Sequence, residues 1–269
     1  MYYVNVEQGV KLAVYDLNSS AKKTVFLLHG WPLNHGMYEY QMDLLPKLGF
    51  RCICIDLRGF GNSDAPWNGY NYDRLADDIY EIIRMIHVPK MALVGFSMGG
   101  AVAIRYMARH REYKISRLAL LSAVAPCFVR RKECSAGLPL EQVNALIAQI
   151  SQNRPQALHD FGQNFFAQPV TPAFGEWFRS LVLDCPGYST LKAAETLRDT
   201  DLRDDLRCIS VPTGIFYGAL DQICPPKLAL TLNKEIKNSQ LYRFEHSGHA
   251  VLYDELEKFN LEFSSFLTG

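Results

Sequence analysis

Ser97 sits in the stretch "ALVGFSMGGAV" (92–102), with Gly95 and Gly99 two residues to either side. An apolar β-type run precedes it and residues that favour a helix follow. The pattern G-x-S-x-G at such a junction marks a sharp strand-to-helix turn that exposes a serine hydroxyl for nucleophilic attack. Side chains in place of the flanking glycines would collide with the adjoining strand or helix and restrict the unusual backbone angles of the turn. The plainer use of serine, as an ordinary turn residue, predicts nothing about the rest of the chain. A nucleophilic serine predicts two further residues: a base to take its proton and an acid to orient that base.

Seven histidines are available for the base. His35, His87, His110 and His159 read as surface or helix-end residues, and His29 closes a buried strand and pins its loop. His246 and His249 lie in "EHSGHA", just after the last predicted strand, at the end of a parallel sheet where functional groups gather. His249, followed by an apolar helix start, is the predicted base, with His246 in reserve. The orienting carboxylate should close the preceding strand, and "FYGALDQICP" puts Asp221 there. An aspartate in such a loop also suits a helix cap or a turn. Ser97, Asp221 and His249 nonetheless stand in the chain order expected of this elbow. Asp199, Asp201, Asp204 and Asp205 sit in a charged stretch and read as solvated.

Acyl chemistry also needs donors aimed at the oxyanion. The Met98 N–H opens the helix after the nucleophile, where unsatisfied donors and the helix dipole coincide. The Trp31 N–H lies in "HGWP" (29–32), where Gly30 permits close backbone approach and Pro32 has no N–H to offer.

The elements that must position these residues follow an alternating rhythm. Two short strands around "EQGVK" open the chain, then come the strand "TVFLLHG" (24–30), a helix around 36–47, and the strand "RCICID" (51–56). The glycine-bearing loop "DLRGFGNSD" (56–64) leads to a helix over 73–87, which carries Leu75, Ile79, Ile82, Ile83 and Ile86 at helical spacing. "KMALVGF", "MGGAVAIRYMARH" and "ISRLALLSAV" read as strand, helix, strand. Strand alternating with helix argues for parallel βαβ units. From 126 to about 200 no buried strand is evident, only helical stretches such as "LEQVNALIAQIS" and many aromatic residues. The rhythm resumes with "VPTGIFYGALD", "KLALTLNKEI", "SQLYRFE" and a closing helix in 251–267. The expected organisation is an α/β core of residues 1–125 and 201–269, with a helical cap inserted over 126–200.

Lys plus Arg and Asp plus Glu number 28 each, so the chain has no general field to attract nucleic acid or anionic lipid. "RRKE" (130–133) reads as a solvated surface turn. No stretch approaches the roughly 20 apolar residues of a membrane span. The start lacks a basic region followed by an apolar segment and a small-residue cleavage site, so a cytoplasmic location is expected. The seven cysteines are scattered; Cys52 and Cys54 share one face of a strand and read as small buried apolar residues. No metal-ligand spacing is present.

Taken together, "LLHGWP", "DLRGFGNSD", "VGFSMGG", "GALDQICP" and "SGHA" resemble the α/β-hydrolase superfamily. "HGWPLNHGMYEYQ", "DLRGFGNSDAPWNGYNYDRLADDI" and "VGFSMGGAVAIRYMARH" are similar to its cofactor-free (non-haem) haloperoxidases, also described as esterases and perhydrolases. The likeness is dense from about 25 to 125, fair from about 185 to 255, and weak across the cap. It implies an α/β fold with a mostly parallel eight-stranded sheet flanked by helices, capped over the strand C-termini. It also implies Ser97, Asp221 and His249 as triad, and the amides of Trp31 and Met98 as oxyanion hole, with no cofactor. Family members with proline directly after the oxyanion tryptophan can perform perhydrolysis, and Pro32 is compatible with that. The peracid formed would then oxidise halide in solution.

The expected activity is that of a serine carboxylesterase on small to medium neutral esters, with Phe96 and Phe128 as pocket walls. The partner expected is a small-molecule ester, with neither nucleic acid nor membrane; self-association is left open by the balanced charge. An amidase, a lactamase or a C–C bond hydrolase would use the same triad. A haloalkane dehalogenase or epoxide hydrolase would need a carboxylate at 97. A ligand receptor on the same fold would show turnover that is indifferent to loss of Ser97.

Overall fold

The β-forming runs pair into one sheet in the computed structural model, which describes residues 1–269. Strands β1 (Tyr2–Glu7) and β2 (Val10–Leu17) form an antiparallel hairpin around Gln8-Gly9, and β2 pairs antiparallel with β4 (Phe50–Ile55). The rest of the sheet is parallel: β3 (Lys23–Leu28), β5 (Met91–Phe96), β6 (Ile115–Leu121), β7 (Thr213–Gly218) and β8 (Ser239–Phe244). The strand order is β1-β2-β4-β3-β5-β6-β7-β8. Every residue of β5 and β7 is buried, as expected of parallel strands with helices over both faces. Cys52 and Cys54 are buried in β4.

Short connections carry the helices of the core. A 3₁₀ turn at His35–Tyr38 leads into α1 (Glu39–Lys47). Helix α2 (Tyr72–Met85) starts where the Asn71 side chain accepts the Arg74 N–H, and it buries Leu75, Ile79, Ile82 and Ile83. Helix α3 (Met98–Arg109) follows β5 without a spacer except Ser97.

Between β6 and β7 the chain forms α4 (Leu140–Gly162), α5 (Pro172–Leu183), α6 (Gly187–Asp199) and the short α7 (Arg203–Leu206). Helix α4 is interrupted at Asn153 (φ −150°, ψ 79°), two residues before Pro155. Proline lacks the amide hydrogen and its ring crowds the preceding turn, so the helix breaks there. Phe165, Phe178 and Val182 belong to the same buried cluster as the sheet residues, so this layer is packed onto the core. The "RRKE" segment is a turn at the surface, with Arg130, Lys132 and Glu133 exposed.

After β7 come α8 (Pro226–Glu235), β8 and a divided C-terminal helix. The single closing helix expected from 251 to 267 is in fact α9 (Val251–Asp254) and α10 (Leu256–Thr268), parted at Glu255 (φ −125°, ψ 55°). The carboxylates at the break are engaged elsewhere. Glu255 accepts the His246 N–H and the Ser247 hydroxyl, and Asp254 accepts the Gly248 and Ala167 amides. No helix is long and apolar enough to cross a membrane.

Candidate active site

Ser97 occupies the junction of β5 and α3 with φ 52° and ψ −116°, a conformation that L-residues adopt only under constraint. The constraint is visible. The Ser97 amide donates to Leu121 O at 2.9 Å, and the Ser97 carbonyl accepts from Gly100, Ala101 and Val124. A methyl group at Gly95 would collide with the Gly99 backbone, and one at Gly99 with the carbonyls of Leu28 and His29. Glycine is therefore what lets β5, α3 and β3 meet beneath the serine.

Asp221 and His249 come together because β7 and β8 end side by side. A methyl group at Gly218 would overlap the carbonyls of Ser247 and Gly248. The Ala219 amide donates to Phe244 O at 2.8 Å, and the Leu220 amide to Ser247 O at 3.0 Å. Asp221 then divides its oxygens. Oδ1 accepts the amides of Ile223 (2.9 Å) and Cys224 (2.8 Å), while Oδ2 accepts His249 Nδ1–H at 2.9 Å. The turn aspartate and the orienting aspartate are thus one residue. With the proton on Nδ1, His249 keeps a lone pair on Nε2, and this buried nitrogen has no hydrogen-bond partner. The imidazole packs between Phe96 and Phe165, each with its ring centroid 4.9 Å away.

The loop after β3 presses on the serine: a methyl group at Gly30 would lie 2.7 Å from the Phe96 ring and 3.0 Å from Ser97 Cβ. His29 holds this loop from below. Its Nε2 accepts the Leu57 amide at 2.9 Å, which leaves Nδ1–H to donate to Gly30 O at 2.9 Å. Burial disfavours the charged ring and lowers its pKa to about 4. The amides of Trp31 and Met98 donate to no turn, loop or cap acceptor. The Trp31 indole N–H donates to Thr190 O at 3.0 Å, tying this loop to α6, and its ring meets Phe161 edge-on at 5.2 Å.

Comparison with known proteins sets this geometry in a family. The alpha/beta hydrolase fold family model matches residues 23–140. The AB hydrolase superfamily protein YisY of Bacillus subtilis is 44% identical over 265 residues, covering 98% of each chain. A putative non-heme chloroperoxidase of Synechocystis is 31% identical over 99% of this chain and all of its own. Among solved structures, an esterase of Exiguobacterium antarcticum superposes with a TM-score of 0.96 at 40% identity, over 99% of both chains. The chain belongs to the α/β-hydrolase superfamily. Within it, the chain falls in the branch of non-haem haloperoxidases and esterases, and it is an esterase-type hydrolase.

Two cavities adjoin the cap of this hydrolase. The larger, about 990 Å³, runs between α4 and α5, lined by Leu158, Phe166, Val170, Phe178 and Val182 among others, and includes none of Ser97, Asp221 and His249. The smaller, about 340 Å³, is walled by Phe128, Val143, Leu146, Phe161 and Ile223. This second cavity also includes none of Ser97, Asp221 and His249, but it reaches the Asp221 loop through Gln222 and Ile223. Phe128 therefore lines a cavity that meets the Asp221 loop, whereas Phe96 is fully buried, lines neither cavity and supports the His249 ring. His246 is exposed, with its carbonyl accepting from Gln168, and stands apart from the Asp221 carboxylate.

Sequence reasoning passed over two buried residues, Asp56 beside the loop after β3 and Cys224 beside Asp221. Asp56, in the loop "DLRGFGNSD", is a buried hub that accepts the His35 amide and ring (2.8 Å each) and the Asn62 amide (2.8 Å). Burial pushes its pKa up, but the bonds and charge from His35 outweigh this and hold it below its ordinary value. Cys224 is the other. Its thiol lies beside Asp221, and burial, with the Asp221 charge adding to it, pushes the thiol well above its usual range while the nearby Ser97 hydroxyl opposes. Its place three residues after the acid, in the same tight loop, was the available signal.

Proposed function

We propose that this chain is a serine carboxylesterase acting on small to medium neutral carboxylic esters through an acyl-enzyme. The observation that carries the reading is the 2.9 Å bond from His249 Nδ1–H to Asp221 together with the buried, unpartnered His249 Nε2 on the side away from it. In this reading Ser97 Oγ attacks the ester carbonyl as its proton passes to His249 Nε2, and Asp221 stabilises the imidazolium that forms. The Trp31 and Met98 amides, with no other acceptor, hold the oxyanion. His249 returns the proton to the leaving alcohol, and water, activated by the same nitrogen, releases the acid. Because the imidazole must be neutral to accept a proton, kcat/KM falls on acidification.

Neutral esters fit the smaller cavity better than anionic ones. Asp160 is the one ionisable side chain in its lining, and no lysine, arginine or histidine is there to pair a substrate carboxylate. Hydrogen peroxide replacing water at the acyl-enzyme would give a peracid, a side activity in keeping with Pro32 after the oxyanion tryptophan and with the name of the Synechocystis relative. The deciding experiment is a chain-length series of p-nitrophenyl acyl esters, with and without peroxide, run on the wild type and on Ser97→Ala. Wild-type hydrolysis that vanishes in the variant supports the reading. Equal, slow hydrolysis by both would favour a ligand receptor.

A further inference from the structure

Cys224 adds a third donor to the Asp221–His249 pair. A carboxylate oxygen, a thiol sulfur and an imidazole nitrogen, one from each residue, all lie within 4.8 Å of one another, and all three residues are buried. The imidazole nitrogen nearest the carboxylate is Nδ1, 2.9 Å from Asp221 Oδ2. Around a tetrahedral Zn²⁺, with bonds of about 2.0–2.3 Å, such donors stand roughly 3.3–3.7 Å apart, so small side-chain rotations bring them into register.

We propose that Asp221, Cys224 and His249 form an inhibitory site for a thiophilic divalent cation, Zn²⁺ or Cd²⁺, whose remaining coordination position faces Ser97. The donor set selects the ion. One sulfur, one nitrogen and one carboxylate suit Zn²⁺ and its heavier congener, whereas Mg²⁺ and Ca²⁺ require six or more oxygens. Charge also favours it: a carboxylate and a thiolate together balance the dication, so the buried complex is neutral overall. As the metal–sulfur bond forms, the thiol proton leaves to solvent. The imidazole binds through Nδ1, so its proton moves to Nε2; the hydrogen bond to Asp221 is given up and Nε2 loses the lone pair that would accept the Ser97 proton.

The inhibition part of this proposal rests on the esterase reading; the binding part does not. Full-length protein is titrated with Cd²⁺ while the ultraviolet thiolate-to-cadmium charge-transfer band and p-nitrophenyl ester hydrolysis are both followed. The expected result is a band that saturates at one Cd²⁺ per chain, loss of activity in step with it, recovery on adding a chelator, and no effect of Mg²⁺. Cys224→Val should lose the band and need at least about tenfold more Cd²⁺ for half-inhibition of its own metal-free rate, since even an outer-shell partner contributes that much to affinity. Cys208→Ser, which removes the exposed thiol, should keep both responses. Equal binding and inhibition in wild type and Cys224→Val would overturn the site. A chain that hydrolyses no ester, yet loses the band in Cys224→Val, would overturn the esterase reading and leave the metal site standing.

Discussion

At the rim of the sheet, methyl groups added at Gly95, Gly99 or Gly218 would run into backbone atoms; on helices α4, α5 and α6, one added at Gly162 meets nothing within 4 Å, and at Gly175 or Gly187 nothing closer than 3.8 Å. The same contrast holds for the side chains. Ser97, Asp221 and His249 are at most 6% exposed and sit within a mesh of backbone bonds. The cap carries a cavity of about 990 Å³, a helix broken at Asn153, and ring-against-ring contacts such as Phe165–Phe178 and Phe166–Phe178. Proton transfer needs heavy atoms held within a few tenths of an ångström, which only close backbone contact supplies. A pocket for varied apolar groups needs shape and area, which aromatic rings on loosely packed helices supply.

This contrast can be tested from its strongest consequence to its weakest. Ser97→Ala should lower ester turnover at least about 10⁴-fold with unchanged circular dichroism, and Asp221→Asn about as much, because the imidazole loses its tautomer and orientation. A rim that tolerated either with a loss under tenfold would not be the reacting site. Gly95→Ala should cost about 3 kcal/mol of stability, read from denaturant midpoints, because the obstacle is backbone and cannot rotate away.

His29 offers a test by pH. Its pKa falls from 6.5 to about 4 on folding because burial penalises the charged ring. The unfolded chain therefore binds the extra proton between those values. The stabilisation is complete above pH 6.5 and is lost as pH falls toward 4, by on the order of 3 kcal/mol. Urea midpoints measured across that window should decline in the wild type, and His29→Gln should lack this component of the slope. A slope that is the same in both would mean that His29 is protonated in the fold.

The cap should respond more gently. Phe161→Ala opens the smaller cavity beside Trp31 and should change kcat/KM within about tenfold, mainly by shifting the preferred acyl length. Gly162→Ala, at the open end of α4, should stabilise by about 0.5 kcal/mol through the unfolded state. If Gly162→Ala were as damaging as Gly95→Ala, the two regions would not differ as described.

Much of the core was readable from local pattern. The strands of the βαβ units, the start of α2 at its acidic turn and the β5–Ser97–α3 elbow each depend on residues within a few positions of one another. Helix interruptions were less legible. The break at Glu255 follows from what its carboxylate binds in the histidine loop, nine residues away, and no periodicity reports that. Phe96 and Phe128 looked alike as aromatic neighbours of the site, yet one lies wholly within the core and the other lines a cavity.

By itself the amino-acid sequence determined the serine turn and the order of serine, aspartate and histidine along the chain, because steric limits on backbone angles act over a few residues. Only the tertiary structure decided that Asp221 serves its own turn and His249 at once, that Cys224 stands beside both, and that a cavity lined by no cationic side chain meets the Asp221 loop. Those are contacts between segments brought together by the packing of the whole sheet, and their distances are set by every strand and helix that lies between them.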